Sequence, residues 1–162
     1  MTTLTTMRPE TYVTWRDAEI VAYADDKVAA GSWLREGALE RSRAEFERLL
    51  PQGLATVGHH LFEIVDETAG LTVGCLWVAA SKDPGDLSAF VYDIEVQPEF
   101  RRQGHARAAF VLLEPIVRRL GLKRIGLHVF GHNPAAQALY QSLGYGVTGI
   151  NMVKALPDNA SP

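Results

Sequence analysis

IEVQPEFRRQGHARAAF, residues 94–110, is where an extended pattern gives way to a helical one, and the fold follows from that junction. Ala89 to Val96 reads as a strand, with Phe90, Tyr92, Ile94 and Val96 on one face and Val91, Asp93 and Glu95 on the other. Pro98 ends it. After Gly104 the apolar positions Ala106, Ala109, Phe110, Leu113, Ile116, Val117 and Leu120 recur at helical spacing, and Gly121 closes the helix. Pro115 falls inside this helix, where the ring removes one hydrogen bond and favours a kink.

A turn at this junction needs only Gly104, so Arg101, Arg102 and Gln103 are a surplus of donors. A helix start carries unpaired N–H groups and a partial positive charge, which suits phosphate. Gly104 and the small Ala106 allow close approach to the backbone, while the two arginines and the glutamine amide suit a pyrophosphate. The same six residues, RRQGHA, also make an ordinary solvated helix start.

Working outward, Arg124 to Phe130 alternates as a strand, Asn133-Pro134 opens a short helix closed by Gly144, and Val147 to Leu156 forms a weaker last strand. Upstream, His60–Val65 and Thr72–Ala80 form a hairpin around a loop ending in Gly70. The first third holds two surface helices, Trp15 to Ala30 and Ala38 to Leu50, ended by Gly31 and Pro51. Met1 to Thr6 and Asp158 to Pro162 read as short polar ends. The order strand, helix, strand, helix, strand after an antiparallel hairpin predicts a mixed sheet in an α/β layered architecture, one domain over residues 1–162.

A hydrophobic fraction of 47% with 22% charged residues belongs to a globular chain, and a net charge of -3 gives no electrostatic reason to expect nucleic acid. No apolar run approaches the roughly 20 residues that span a bilayer, so no membrane association is expected. One cysteine, Cys75, and no signal-like leader predict a cytoplasmic location. Cys75 lies mid-strand without a recognisable acid or base partner and reads as a small core residue. The pairs His59-His60 and His128 with His132 do not make a metal set, so no metal is expected. No G-x-G-x-x-G follows a strand, and Gly126 to Gly131 is followed by His132-Asn133 where a P-loop requires Lys and Ser or Thr.

Arg101-x-x-Gly104-x-Ala106 after Ile94-Glu95-Val96-Gln97-Pro98 resembles the [Q/R]-x-x-G-x-[G/A] motif of the GCN5-related N-acetyltransferase (GNAT) family. LHVFGHNPAAQALYQSLGY, residues 127–145, is similar to that family's later strand and helix, with Asn133, Ala136, Tyr140, Gly144 and Tyr145 at landmark positions. The resemblance covers residues 71–155 closely and the amino-terminal third only in topology. It implies a mixed, mostly antiparallel sheet with a central splayed parallel strand pair and helices on both faces. It implies acetyl-coenzyme A (acetyl-CoA) as co-substrate, with Arg101 to Ala106 at the pyrophosphate: Arg101, Arg102, Gln103, Gly104, His105 and Ala106. Ile94 and Val96 would follow the pantetheine where their strand parts from Leu127 to Val129, with Asn133 and Ala136 completing the donor site. The departures from the family are Pro115 and a single last strand where many relatives have two, which leaves completion of that strand by a second chain, and a homodimer, open.

Acetyl transfer to an amine needs a neutral nitrogen and a proton for the leaving thiolate. Tyr140 stands where the family's proton-donating tyrosine does, and could equally be a packed aromatic. Two residues compete as base. His128 matches the position where ribosomal-protein N-terminal acetyltransferases carry a glutamate. Glu95 shares a face with Asp93, and paired carboxylates can raise one another's pKa or bind a cationic amine. A water chain is the third route. Trp15, Tyr23 and Trp33 could pack internally or line an amine site. The leading function is direct acetyl transfer to a primary amine of a small molecule or peptide. A non-catalytic acyl-CoA sensor and an acetyltransferase directed at protein or tRNA are the alternatives.

Overall fold

In the computed structural model, which describes residues 1–158, one sheet runs β1 (Thr2–Thr6), β2 (His59–Asp66), β3 (Leu71–Ala80), β4 (Ser88–Val96) and β5 (Arg124–Leu127), neighbours in that order. The first four strands are antiparallel; β4 and β5 are parallel, joined by the crossover helix α3 (His105–Arg119). Helices α1 (Pro9–Ala29) and α2 (Ala38–Leu49) cover one face, while α3 and α4 (Pro134–Ser142) cover the other. The predicted mixed sheet with a parallel pair and helices on both faces is what the chain forms.

Each face has its own core. Under α3 lie Ile64, Val73, Leu76, Val78, Ala89 and Val91, joined by Phe110, Leu113 and Val117 of the helix. Under α1 and α2 lie Leu61, Cys75 and Trp77 with Trp15, Ile20 and Phe46. Burying side chains of this size stabilises by about 1.5–3 kcal/mol each before entropy is counted. Pro115 leaves α3 unbroken because the carbonyl it orphans belongs to Val111, which is exposed, so water can pair it.

Several boundaries differ from the sequence expectation. Thr2–Thr6 is not a loose end but an edge strand: β-branched threonines pair with Phe62–Asp66, and Leu4 packs on the core. The first helix begins at Pro9, the favoured first-turn position, six residues before Trp15. β5 stops at Leu127, so His128 to Phe130 lie beyond it, and among the described residues Val147 to Leu156 forms no strand. Of the predicted C-terminal polar end, residues 159–162 lie outside the described residues.

The largest correction concerns β4. Its register with β3 steps from Val91 opposite Val78 to Asp93 opposite Trp77, leaving Tyr92 as a bulged extra residue. A one-residue step reverses the alternation. Ala89, Val91, Ile94 and Val96 therefore all meet the α3 core, whereas Tyr92 stacks on Trp77 at 4.6 Å and Asp93 and Glu95 turn toward α1. Gly74 makes room at this point: a Cβ there would stand 2.1 Å from the Glu95 carbonyl oxygen.

Candidate active site

The parallel ladder between β4 and β5 covers only Ser88–Val91 and Arg124–Leu127. From the Tyr92 bulge onward β4 remains paired with β3 but has no β5 partner, so Asp93 to Val96 present one free main-chain edge in a wedge. Ile94 and Val96 sit on that edge, half-buried against the α3 core.

The turn that leads from β4 into α3 lies beyond the end of this wedge. Arg102 adopts φ 60 and Gly104 φ 88, and Gly104 caps α3 without a side-chain bond, so the first-turn amides from His105 onward are left for another partner. Nothing stands within 4 Å of where a Gly104 Cβ would be. The surrounding side chains divide the work differently from the sequence expectation. Arg101 Nε donates to the Val96 carbonyl at 2.8 Å and Gln103 Nε2 to the Glu99 carbonyl at 3.1 Å, so both stitch the turn together. Arg102 is exposed, Ala106 half-buried, and His105 turns inward, its Nδ1 2.9 Å from Thr2 Oγ1 on β1. The side chain of His105 thus ties the edge strand to α3. On the far side of the wedge Asn133 caps α4, its Oδ1 accepting from the Ala136 amide at 3.1 Å.

Tyr140 projects from α4 into the α3 core, its ring 5.3 Å from Phe110 and 6.0 Å from Tyr145. Burial, aided by the charge of Asp93, pushes its phenol up to about 12, so the proton stays on oxygen across the neutral range. A thiolate leaving into similarly dry surroundings would also be more basic than in water; burial and nearby carboxylates push the Cys75 thiol up to about 12. That value, with burial of the side chain, makes Cys75 an inert core residue.

On the α1 face, three carboxyl groups converge. Trp15 Nε1 donates to Asp93 Oδ2 at 3.0 Å; Glu19, one helical turn after Trp15, lies close enough to Asp93 and Glu95 to feel the charge of both. Burial and the charges of Asp93 and Glu95 raise Glu19 far above the ordinary carboxylate range, and burial raises Asp93 in spite of the Trp15 bond. Among the described residues, none of these three carboxylates has an ion pair. Glu19 escaped sequence reading; the signal available was an acidic residue four after a tryptophan on one helix face.

His128 is exposed, just past β5, with its ring edge-on to Phe130 at 4.9 Å. Phe130 stacks on His132 at 5.2 Å, and His132 Nε2 lies 2.8 Å from Asp26 of α1, so this loop bridges to the helix bearing Glu19. The candidate aromatic amine site resolves into two parts. Trp15 is buried against Trp77 and Phe46, while Tyr23 and Trp33 already hold the chain's own Lys27 ammonium, 5.6 and 5.5 Å from their ring centroids. His59 is a core histidine accepting from Trp77 Nε1 at 2.9 Å. Among the described residues no three His, Cys, Asp or Glu side chains gather as a metal site, and no helix is long and apolar enough to cross a membrane.

A family model described as the acetyltransferase (GNAT) family matches residues 6–145. The Bacillus subtilis protein YycN, named an uncharacterized N-acetyltransferase, is 36% identical over 153 residues, which are 94% of this chain and 97% of YycN. The YycN crystal structure aligns with a TM-score of 0.91 at 35% identity, covering 98% of this chain and 100% of the other. YdgE, a second B. subtilis protein of the same description, is 33% identical over 154 residues, 95% of this chain and 98% of YdgE. AAC(6')-Iy bound to a CoA-S-monomethyl-acetylneamine bisubstrate analogue shares the fold, with a TM-score of 0.62 at 16% identity over 97% of this chain and 99% of the other. A splayed parallel pair, an uncapped glycine turn into α3 and a whole-length match lead to one assignment: the chain belongs to the GNAT family and is a GNAT-type N-acetyltransferase.

Proposed function

We propose that this chain transfers the acetyl group of acetyl-CoA directly to a primary amine of a small molecule or peptide, as one domain over residues 1–162. The observation that carries this reading is the unneutralised trio Glu19, Asp93 and Glu95 where β4 parts from β5. A half-buried carboxyl cluster without a cation of its own suits an ammonium. The single buried thiol, Cys75, suits the reducing cytoplasm.

The donor fits the residues present. Free amides at Gly104 to Ala106, with open space over Gly104, suit its pyrophosphate; Arg102 is exposed beside them, and the free edge of Asp93 to Val96 suits its amide-bearing arm. Acetyl-CoA supplies an activated acyl group as a thioester. The Asp93 and Glu95 carboxyl groups face the acceptor ammonium, with Glu19 beside them. Glu95 takes one proton from it, the nitrogen bonds to the acyl carbon as the carbon–sulfur bond breaks, Tyr140 gives its phenolic proton to sulfur, and the second proton shed by the new amide nitrogen restores the Tyr140 phenol. We assign the base to Glu95, with the raised Glu19 carboxyl beside it, and leave the exposed His128 without a role in the proton transfer.

Thiol release from acetyl-CoA, measured against small alkylamines, peptide amino termini and tRNA, tests the reading. Turnover on an amine of the first two classes is expected, with Tyr140→Phe lowering kcat by about 10²-fold while KM for acetyl-CoA holds. Donor binding without turnover on any acceptor would make the chain a sensor, and an unchanged kcat in Tyr140→Phe would remove the assigned acid.

A further inference from the structure

The bulge that turns Asp93 toward α1 also brings a ring out beside it. Tyr92 stacks on Trp77 at 4.6 Å, and Asp93 accepts from Trp15, whose indole meets Trp77 at 5.7 Å. Consecutive residues therefore present an aromatic face and a carboxylate on the same side of the sheet.

Tyr92 is held in place, yet it belongs to neither core. Trp77, 2% exposed, backs one face of its ring at an interplanar angle of 21°, and the Trp77 indole is itself locked by donating to His59 Nδ1 at 2.9 Å. Phe90 stands edge-on to Tyr92 at 4.9 Å, and His59 meets it at 5.8 Å. With one face backed, the 40% exposure of Tyr92 falls on its outer face and edge, and Phe90 beside it is 38% exposed. Level with Phe90 on β5 is Gly126, where a Cβ would come within 3.8 Å of Phe90 Cδ2, so no side chain rises beside that ring. Single exposed apolar residues are ordinary. Two rings pinned from behind and joined into one shelf are a built surface, because a rigid ring loses little freedom when a ligand lies on it.

The charge beside the shelf selects what lies there. Tyr23 and Trp33 already hold Lys27, whereas among the described residues no cation of the chain lies over Phe90 or Tyr92. Building on the carboxylate reading above, we propose that Phe90 and Tyr92 bind the body of the acceptor, a primary amine with an aromatic ring a short linker away from its nitrogen. The ammonium lies at Asp93 and Glu95, and the ring lies on Tyr92. A free arylalkylamine and a peptide whose first residue is aromatic share this chemistry.

Calorimetry on the full chain in the presence of CoA compares ethylamine with phenethylamine, and a peptide beginning with glycine with one beginning with phenylalanine; thiol release from acetyl-CoA is followed for the same four. The proposal expects the aromatic member of at least one pair to bind about tenfold more tightly than its plain partner, and the pair that shows it identifies the source. Tyr92→Ala and Phe90→Ala, with helix signal retained, are expected to cut that ratio below about twofold, while Tyr92→Phe, which keeps the ring, keeps the ratio. A binding preference without acetylation of any of the four would support the shelf and remove the transfer reading; acetylation with equal affinities would do the opposite. Equal affinities within both pairs, no binding of any of the four, a preference that survives both alanine variants, or alanine variants that split a dimer and leave the preference intact would each overturn the proposal.

Discussion

Glu63 on β2 and Glu95 on β4 flank Cys75 across the same face of one sheet, and their surroundings are opposite in kind. Burial alone would raise the Glu63 carboxyl. It is instead held down to about 2, because Arg8 donates from its amide, Nε and Nη2 at 3.1, 3.0 and 3.2 Å and Thr72 Oγ1 donates at 2.7 Å. Two strands away Glu95 meets Glu19 and Asp93, and no cation among the described residues. A carboxylate with every oxygen paired is structural. One surrounded by its own kind, with no cation beside it, suits a cationic substrate, and that asymmetry marks where chemistry occurs.

The comparison breaks most sharply under two matched substitutions. Glu95→Gln is expected to lower kcat/KM by about 10²–10⁴-fold while leaving the melting temperature level or raised, since it removes a like charge. Glu63→Gln is expected to do the reverse, costing about 1–3 kcal/mol of stability through mismatched Arg8 bonds with little change in turnover. Steady-state kinetics and thermal melts on both variants check the pair; equal behaviour in the two assays would erase the distinction.

Proton linkage sharpens it further, because the two sites have opposite signs. Glu63 is depressed in the folded state, so its contribution is present above the unfolded value near 4 and is lost as pH falls toward about 2. Glu19 and Asp93 are raised, so the folded state binds their protons more tightly, and stability falls as pH climbs from the unfolded value near 4 through neutrality. Ligand-free chain should melt lower at pH 8 than at pH 5, and Asp93→Asn should flatten that slope. An unchanged slope in the variant would contradict the assignment. The smallest effect belongs to His128→Ala, expected to change kcat/KM by less than about threefold, under 1 kcal/mol of barrier.

What could be read from residues alone followed the locality of each signal. The turn at Arg101 to Ala106 was legible because a glycine before an amphipathic helix is a local statement, and Tyr140 was legible through the separate match around it. The mixed sheet followed from the order of apolar runs. The face of β4 was not legible, since the bulge at Tyr92 arises from how β3 and β4 pair rather than from a glycine or proline in β4. That single step carries Asp93 and Glu95 to Glu19, a partner from a helix far back in the chain. The first strand was hidden by a polar threonine run, and Val147 to Leu156 has strand composition without a strand partner among the described residues.

The most direct test of the central claim is the pH dependence of kcat/KM with a primary amine acceptor, recorded for the wild-type chain, Glu95→Gln and His128→Ala. The account predicts that the acid limb of the wild-type profile persists in His128→Ala and disappears in Glu95→Gln. A limb that survives in Glu95→Gln and is lost in His128→Ala would place the base on the exposed histidine and contradict the reading of the carboxylate face.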